Sequence, residues 1–154
     1  MITLSKILCP VDFSEYSKHA LTYAVALAAQ FRAKLTLVHV IEPIHLPADI
    51  ALGAPGILHF EDGLVERARA RLDSLVDVAT LAELSVETRV LEGVAFAEIV
   101  KFAREENTDL IVLATHGQSG IAQLLLGSTA EKVVRKAPCP VLTVKSPEHE
   151  FVTP

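Results

Sequence analysis

Residues 109–129 read DLIVLATHGQSGIAQLLLGST, and this stretch decides the fold. Leu110 to Leu113 is a continuous apolar run, the pattern of a strand buried on both faces. The run ends in a turn that carries Gly117, and nine residues separate that glycine from Gly127-Ser128-Thr129, where a helix-like segment opens. A buried strand, a glycine turn and a helix start bring free N–H groups and the positive end of a helix dipole to one place. Such a place favours an anion, above all phosphate.

Working outward, the flanking segments repeat the alternation. Residues 4–11 (LSKILCPV) read as a strand broken by Asp12-Phe13-Ser14, and Ser14 suits a helix N-cap. Leu21, Ala24, Leu27, Ala28 and Phe31 then recur at helical spacing, predicting a helix that ends near Arg32. Residues 34–41 (KLTLVHVI) form a second strand, with His39 inside it read as packed or hydrogen-bonded. Residues 43–60 hold three prolines and two glycines without a period, predicting a long, flexible loop, either a lid or a mobile segment. A single helix is expected from about Glu61 to Glu83, burying Leu64, Ala68, Leu72, Leu75, Val76 and Ala79 and exposing Glu66, Arg67, Arg69 and Arg71. Residues 85–91 alternate and predict a third strand nearer an edge. Phe96, Ile99, Val100 and Ala103 mark a helix ending near Asn107. The strand at 109–114 follows, then a helix from about Thr129 to Lys136 stopped by Ala137-Pro138, then a strand at 140–145.

Strands that alternate with helices predict an α/β fold, with one open, parallel, five-stranded sheet covered on both faces. Ligands of such sheets sit beyond the carboxyl ends of the strands, where strand order reverses. With the first strand central, Asp12 and the Ala114–Gly117 turn flank that point.

Composition narrows the partners. The chain has 154 residues, 51% of them apolar, which is one domain with a core of its own. We expect the domain to span residues 1–146, followed by a polar tail at 147–154. Fourteen basic and 19 acidic side chains give a net charge of −5, and tryptophan is absent. An acidic surface with few aromatics argues against nucleic acid as a partner. No apolar run approaches the roughly 20 residues of a membrane span, and the start MITLSKILCPVDFSE lacks a secretory pattern, so a cytoplasmic, membrane-free location is expected. Cys9 and Cys139 sit in or beside apolar runs and read as buried, reduced thiols without metal-ligand spacing.

The candidate site residues support binding better than catalysis. Asp12 can bond a ribose hydroxyl, help hold a metal that arrives with phosphates, or cap the first turn. Gly117 and Gly127 let a ligand approach the main chain, whereas Gly120 reads as a spacer. Ser128-Thr129-Ala130-Glu131 also fits a capping box, which would commit the Ser128 hydroxyl to the helix. His116 can donate to phosphate or sit solvated at a loop tip. There is no G-x-x-x-x-G-K-[ST] loop, no G-x-G-x-x-G after the first strand and no G-x-S-x-G elbow.

The spacing G-x9-G-[ST] after the fourth strand resembles the nucleotide motif of the universal stress protein family, G-x2-G-x9-G-[ST]. ILCPVDFSEYSKHAL resembles that family's first strand and helix, LTLVHVIEP its second strand, and TDLIVLATHG and KAPCPVLTVK its fourth and fifth. The likeness runs from about residue 3 to 146. It implies strand order 3-2-1-4-5 and a homodimer formed through strand five. It implies binding of ATP, or of AMP or ADP, with magnesium accompanying the nucleotide and Asp12 its only candidate protein ligand. Pro10, Val11 and Asp12 would flank adenine and ribose, and Val40 would offer main-chain bonds to the base. Ala114, His116, Gly117, Gly127, Ser128 and Thr129 would line the phosphates, and Val141 would close the apolar side. Two positions depart from the pattern. Ala114 replaces the first motif glycine, and Gln118 stands where the family is often basic.

Three functions follow. The first is an adenine-nucleotide-binding stress-response protein with little or no hydrolysis. The alternative is a nucleotide-independent dimeric interaction module of the same fold. An enzyme, a phosphotransferase or nucleotidyl transferase, is the third, and no general base or lysine stands out for it near the loop.

Overall fold

β1 (Lys6–Pro10) lies at the centre of the sheet, and its sequence shows why. Ile7 and Cys9 point to one face and Leu8 to the other, and all three are buried, as a strand covered on both sides requires. The computed structural model describes residues 2–43, 58–116 and 126–145. β1 pairs in parallel with β2 (Lys34–Ile41) on one side and β4 (Leu110–Ala114) on the other. β3 (Val86–Glu92) lies beyond β2, and β5 (Val141–Val144) beyond β4. The order is β3-β2-β1-β4-β5, as the family resemblance implies.

Alternate strand side chains feed two core layers. Ile7, Cys9, Leu35, Leu37 and Val112 meet α1 (Glu15–Phe31) through Ala20, Leu21, Ala24 and Ala28, and also meet Leu72 of α2 (Leu58–Asp73). Leu8, Val38, Ile111 and Leu113 meet Ile99 and Ala103 of α4 (Ala95–Glu105) and Ala130 and Val133 of α5 (Ser128–Lys136). Each fully buried Leu or Ile contributes about 1.5–3 kcal/mol. The alanines on α1 let its backbone lie close to the strands.

Ser14 caps α1 as expected, accepting from Ser17 N at 3.2 Å, and the helix ends at Arg32 in a left-handed cap with φ 52°. The single helix expected over 61–83 is instead two, α2 and α3 (Val78–Glu83). Asp77 causes the break. Its carboxylate accepts from Thr80 N at 2.8 Å, starting a new helix, while Ser74 Oγ donates to Arg71 O at 2.8 Å. Such side-chain bonds compete with helix continuation. Of the expected 43–60 loop, residues 58–60 are helical and 44–57 lie outside the described residues, as does the 147–154 tail.

The amino end of the sheet is tied down by charge. Asp109 Oδ2 accepts from Ser5 N at 2.7 Å and Lys6 N at 2.9 Å. Glu87 pairs with Lys34 and Arg89, and the Lys34 hydrogen bond above all holds its carboxyl below the usual range. Burial pushes the Cys9 thiol up to about 12. Cys139 is only half-buried rather than buried. Its thiol is also raised, by burial first and then by Asp109.

Candidate functional site

The chain leaves β1 towards β2 and β3 and later returns to β4 and β5 on the other side, so a crevice opens between the carboxyl ends of β1 and β4. A cavity of about 340 Å³ occupies it, a volume within the range of small-molecule sites. Its walls are the ends of β1, β2 and β4 and the first residues of α4 and α5.

At the β1 end, Val11 N donates to Val38 O at 2.8 Å, and His39 Nδ1 donates to Val11 O at 2.7 Å. A carbonyl can only accept, so this bond fixes the proton on Nδ1. Asp12 Oδ1 accepts from Ser14 N at 3.0 Å and from Ser14 Oγ at 2.5 Å. The turn forces Phe13 to φ 66°, a left-handed conformation that costs a bulky residue of order 1–3 kcal/mol. Packing holds it there. The Phe13 ring lies 4.4 Å from that of His39, and the Arg71 guanidinium sits 4.0 Å above its centroid.

At the β4 end, Thr115 N donates to Val144 O at 3.0 Å, and Gly127 N donates to Thr115 O at 2.6 Å. The second bond anchors the start of α5 against the strand end. Gly127 is the N-cap, extended at φ −65° and ψ 158°, with no side-chain cap. The first intrahelical bond is Glu131 N to Gly127 O at 2.9 Å. The N–H groups of Ser128, Thr129 and Ala130 therefore precede the helical ladder, and all three residues line the cavity. This corrects the capping-box reading. Anchoring at Gly127 starts the helix at Ser128, one residue earlier than expected, so Ser128 is the first helical residue and not the cap.

Pro10, Val11, Asp12, Val40, Ala114, His116, Gly127, Ser128 and Thr129 all line the cavity. Val141 is not among the lining residues. It pairs in register with Ile111 and packs into the core layer beneath α4 and α5. Gly117, with Gln118 and Gly120, lies outside the described residues. Sequence reading missed Ser17, Glu42, Ala95, Ile99 and Thr115, and gave His39 no place at the cavity. The signal for Glu42 and Thr115 was available, since each directly follows a predicted strand. Among the described residues no three His, Cys, Asp or Glu side chains group as metal ligands.

The universal stress protein family model matches residues 3–145. The chain belongs to the universal stress protein family. It is similar to universal stress protein MJ0531 of Methanocaldococcus jannaschii, 36% identical over 151 residues, 94% of this chain and 84% of that one. Universal stress protein MJ0577 of Methanocaldococcus jannaschii is 30% identical over 94% of this chain and 96% of its own. The solved structure of MJ0577 superposes with a TM-score of 0.81 at 28% identity, covering 96% of this chain and 99% of that one. A universal stress protein solved in complex with cAMP is similar at 25% identity and a TM-score of 0.61, over 93% of this chain and 98% of that one.

Proposed function

We propose that this universal stress protein binds an adenine nucleotide in the crevice between β1 and β4, and acts in a stress response through occupancy rather than turnover. The observation that carries the reading is the start of α5. Gly127 brings it to the cavity without a side-chain cap, so the N–H groups of Ser128, Thr129 and Ala130 face a space where phosphate fits. Pro10, Val11 and Asp12 would flank the adenosine, the main chain of Val40 would bond the base, and Gly117 would join the phosphate side through the motif. The cAMP complex of a similar family member supports an adenine ligand.

Magnesium would enter on the nucleotide's phosphates. Asp12 can add a carboxylate oxygen to it, but one carboxylate does not make a dedicated cage. Binding with slow or absent hydrolysis fits a described lining without a lysine or arginine to stabilise charge on a transferring phosphoryl group. Isothermal titration with Mg-ATP, AMP and cAMP tests the proposal. Heat with at least one of them is expected, and silence at millimolar ligand would sink it.

The β5 edge supports a homodimer. Leu142 on β5 and Val134 on α5 are both exposed, and an exposed apolar edge strand favours pairing with another copy. A dimeric mass by light scattering at micromolar protein is the expected result. The competing reading is a dimeric module that needs no nucleotide, which the Ala114 methyl at the cavity wall favours. Native mass spectrometry of protein purified without added nucleotide separates the two, because a retained adenylate mass excludes the second.

A further inference from the structure

We infer that the crevice selects adenosine ligands of low phosphate charge, a cyclic monophosphate above AMP and AMP above ATP, when no divalent cation is present. The inference rests on the nucleotide reading above and deepens it.

Asp12 and Glu42 both line the cavity, and none of the described lining residues is lysine or arginine. Residues 44–57, 117–125 and 146–154 contain no lysine or arginine either. Whatever those segments do, they cannot bring such a cation to the ligand. The basic residues of α5 are engaged elsewhere. Lys132 and Lys136 place Nζ at 4.9 and 5.4 Å from the Phe96 ring centroid, and Arg135 pairs with Glu131 at 3.1 Å. At the start of α1, Lys18 pairs with Glu15 at 2.6 Å.

What the crevice offers a phosphate is therefore mainly dipolar: the first N–H groups of α5, the hydroxyls of Ser128 and Thr129, and the His116 imidazole, whose Nδ1 pairs with Thr115 Oγ1 at 2.9 Å. A helix end carries a partial charge of about +0.5. That suits one phosphate group. A cyclic phosphodiester bears a single negative charge, and a phosphomonoester about −1.5 to −2 at neutral pH. Each further phosphate adds negative charge that meets the same few donors, together with the fields of Asp12 and Glu42. Magnesium on the triphosphate removes much of that excess, so the ranking belongs to the metal-free ligands.

The test is isothermal titration of the full chain with cAMP, AMP and ATP in EDTA at low salt. ATP is expected to bind about tenfold or more weaker than cAMP, with AMP between them. Raising sodium chloride should bring ATP closer to cAMP by screening the repulsion; a site built on cations would move the other way. Glu42→Gln removes a charge while keeping an oxygen for Ala95 N, and Asp12→Asn removes the other while keeping an oxygen for Ser14 N. Each should narrow the gap. ATP binding as tightly as cAMP in EDTA overturns the inference and leaves the nucleotide reading standing. A gap that both variants leave unchanged overturns its electrostatic origin. Binding of none of the three ligands, with or without magnesium, removes the nucleotide reading and this inference with it.

Discussion

α4 and α5 both start at the crevice, and the chain finishes the two starts in opposite ways. Val94, the N-cap of α4, has no side-chain cap of its own, but Glu42 reaches across from the end of β2 and accepts from Ala95 N at 2.8 Å. The fit around that start is close. Gly93 sits at φ 141°, and a Cβ there would come within 2.9 Å of Glu98 Cγ. α5 starts at Gly127 with no side-chain cap, and the one carboxylate of its first turn, Glu131, pairs with Arg135 at 3.1 Å. One helix end carries its own anion and the other leaves the place to a ligand. A helix start thus becomes a binding feature through what the neighbouring strand does or does not send to it, and helix propensity alone does not decide this.

The strongest way to break the contrast is to make α5 resemble α4. Gly127→Asp places a carboxylate at an N-cap whose extended backbone accepts any residue. Adenine-nucleotide affinity should fall about tenfold to a hundredfold, the size of losing a charge-assisted hydrogen bond. The unfolding midpoint should hold or rise slightly, because Asp caps somewhat better than Gly. Unchanged affinity by titration calorimetry would show that the α5 start is not the phosphate seat.

The reverse change should cost stability. Glu42→Ala uncaps α4, and a loss of about 1 kcal/mol is expected in urea denaturation. A variant as stable as the parent would mean that water serves Ala95 N equally well. A smaller effect separates Ser128 from a capping role. With Gly127 as the cap, Ser128→Ala should change stability by no more than about 0.5 kcal/mol. A loss near 1 kcal/mol would restore the capping box.

The same contrast marks what the sequence made legible. The parallel sheet and the placing of Asp12, Ala114 and Gly127 at strand and helix ends follow from the alternation of strand-like and helix-like runs, because burial on both faces leaves a strong local pattern, whereas the strand order comes from the family resemblance. The Gly127 cap was hidden, since S-T-A-E at 128–131 satisfies a local rule that the Gly127 N to Thr115 O bond overrides from outside the helix. Glu42 was hidden for a related reason. Its partner, Ala95 N, is 53 residues away in sequence, and nothing local pairs them. The break at Asp77 shows the opposite failure, because the cap signal was local but the apolar period ran through it.

The smallest expected effect lies at the other end of the sheet, where charges are matched within the fold. Glu87 is paired with Lys34 and Arg89 at the partly exposed start of β3, so Glu87→Gln should cost only about 0.2–1 kcal/mol at neutral pH. Its folded-state pKa is lowered, first by the Lys34 hydrogen bond. The contribution is therefore present above the unfolded glutamate value, about 4.3, and is lost as pH falls through the lowered folded value. Urea midpoints of parent and variant should differ at pH 7 and converge towards pH 3, while nucleotide affinity stays the same. A difference that persists at the lowest pH would assign the effect to packing of the side chain. A change in nucleotide affinity would break the division between an amino end that uses charge for stability and a carboxyl end that reserves it for a ligand.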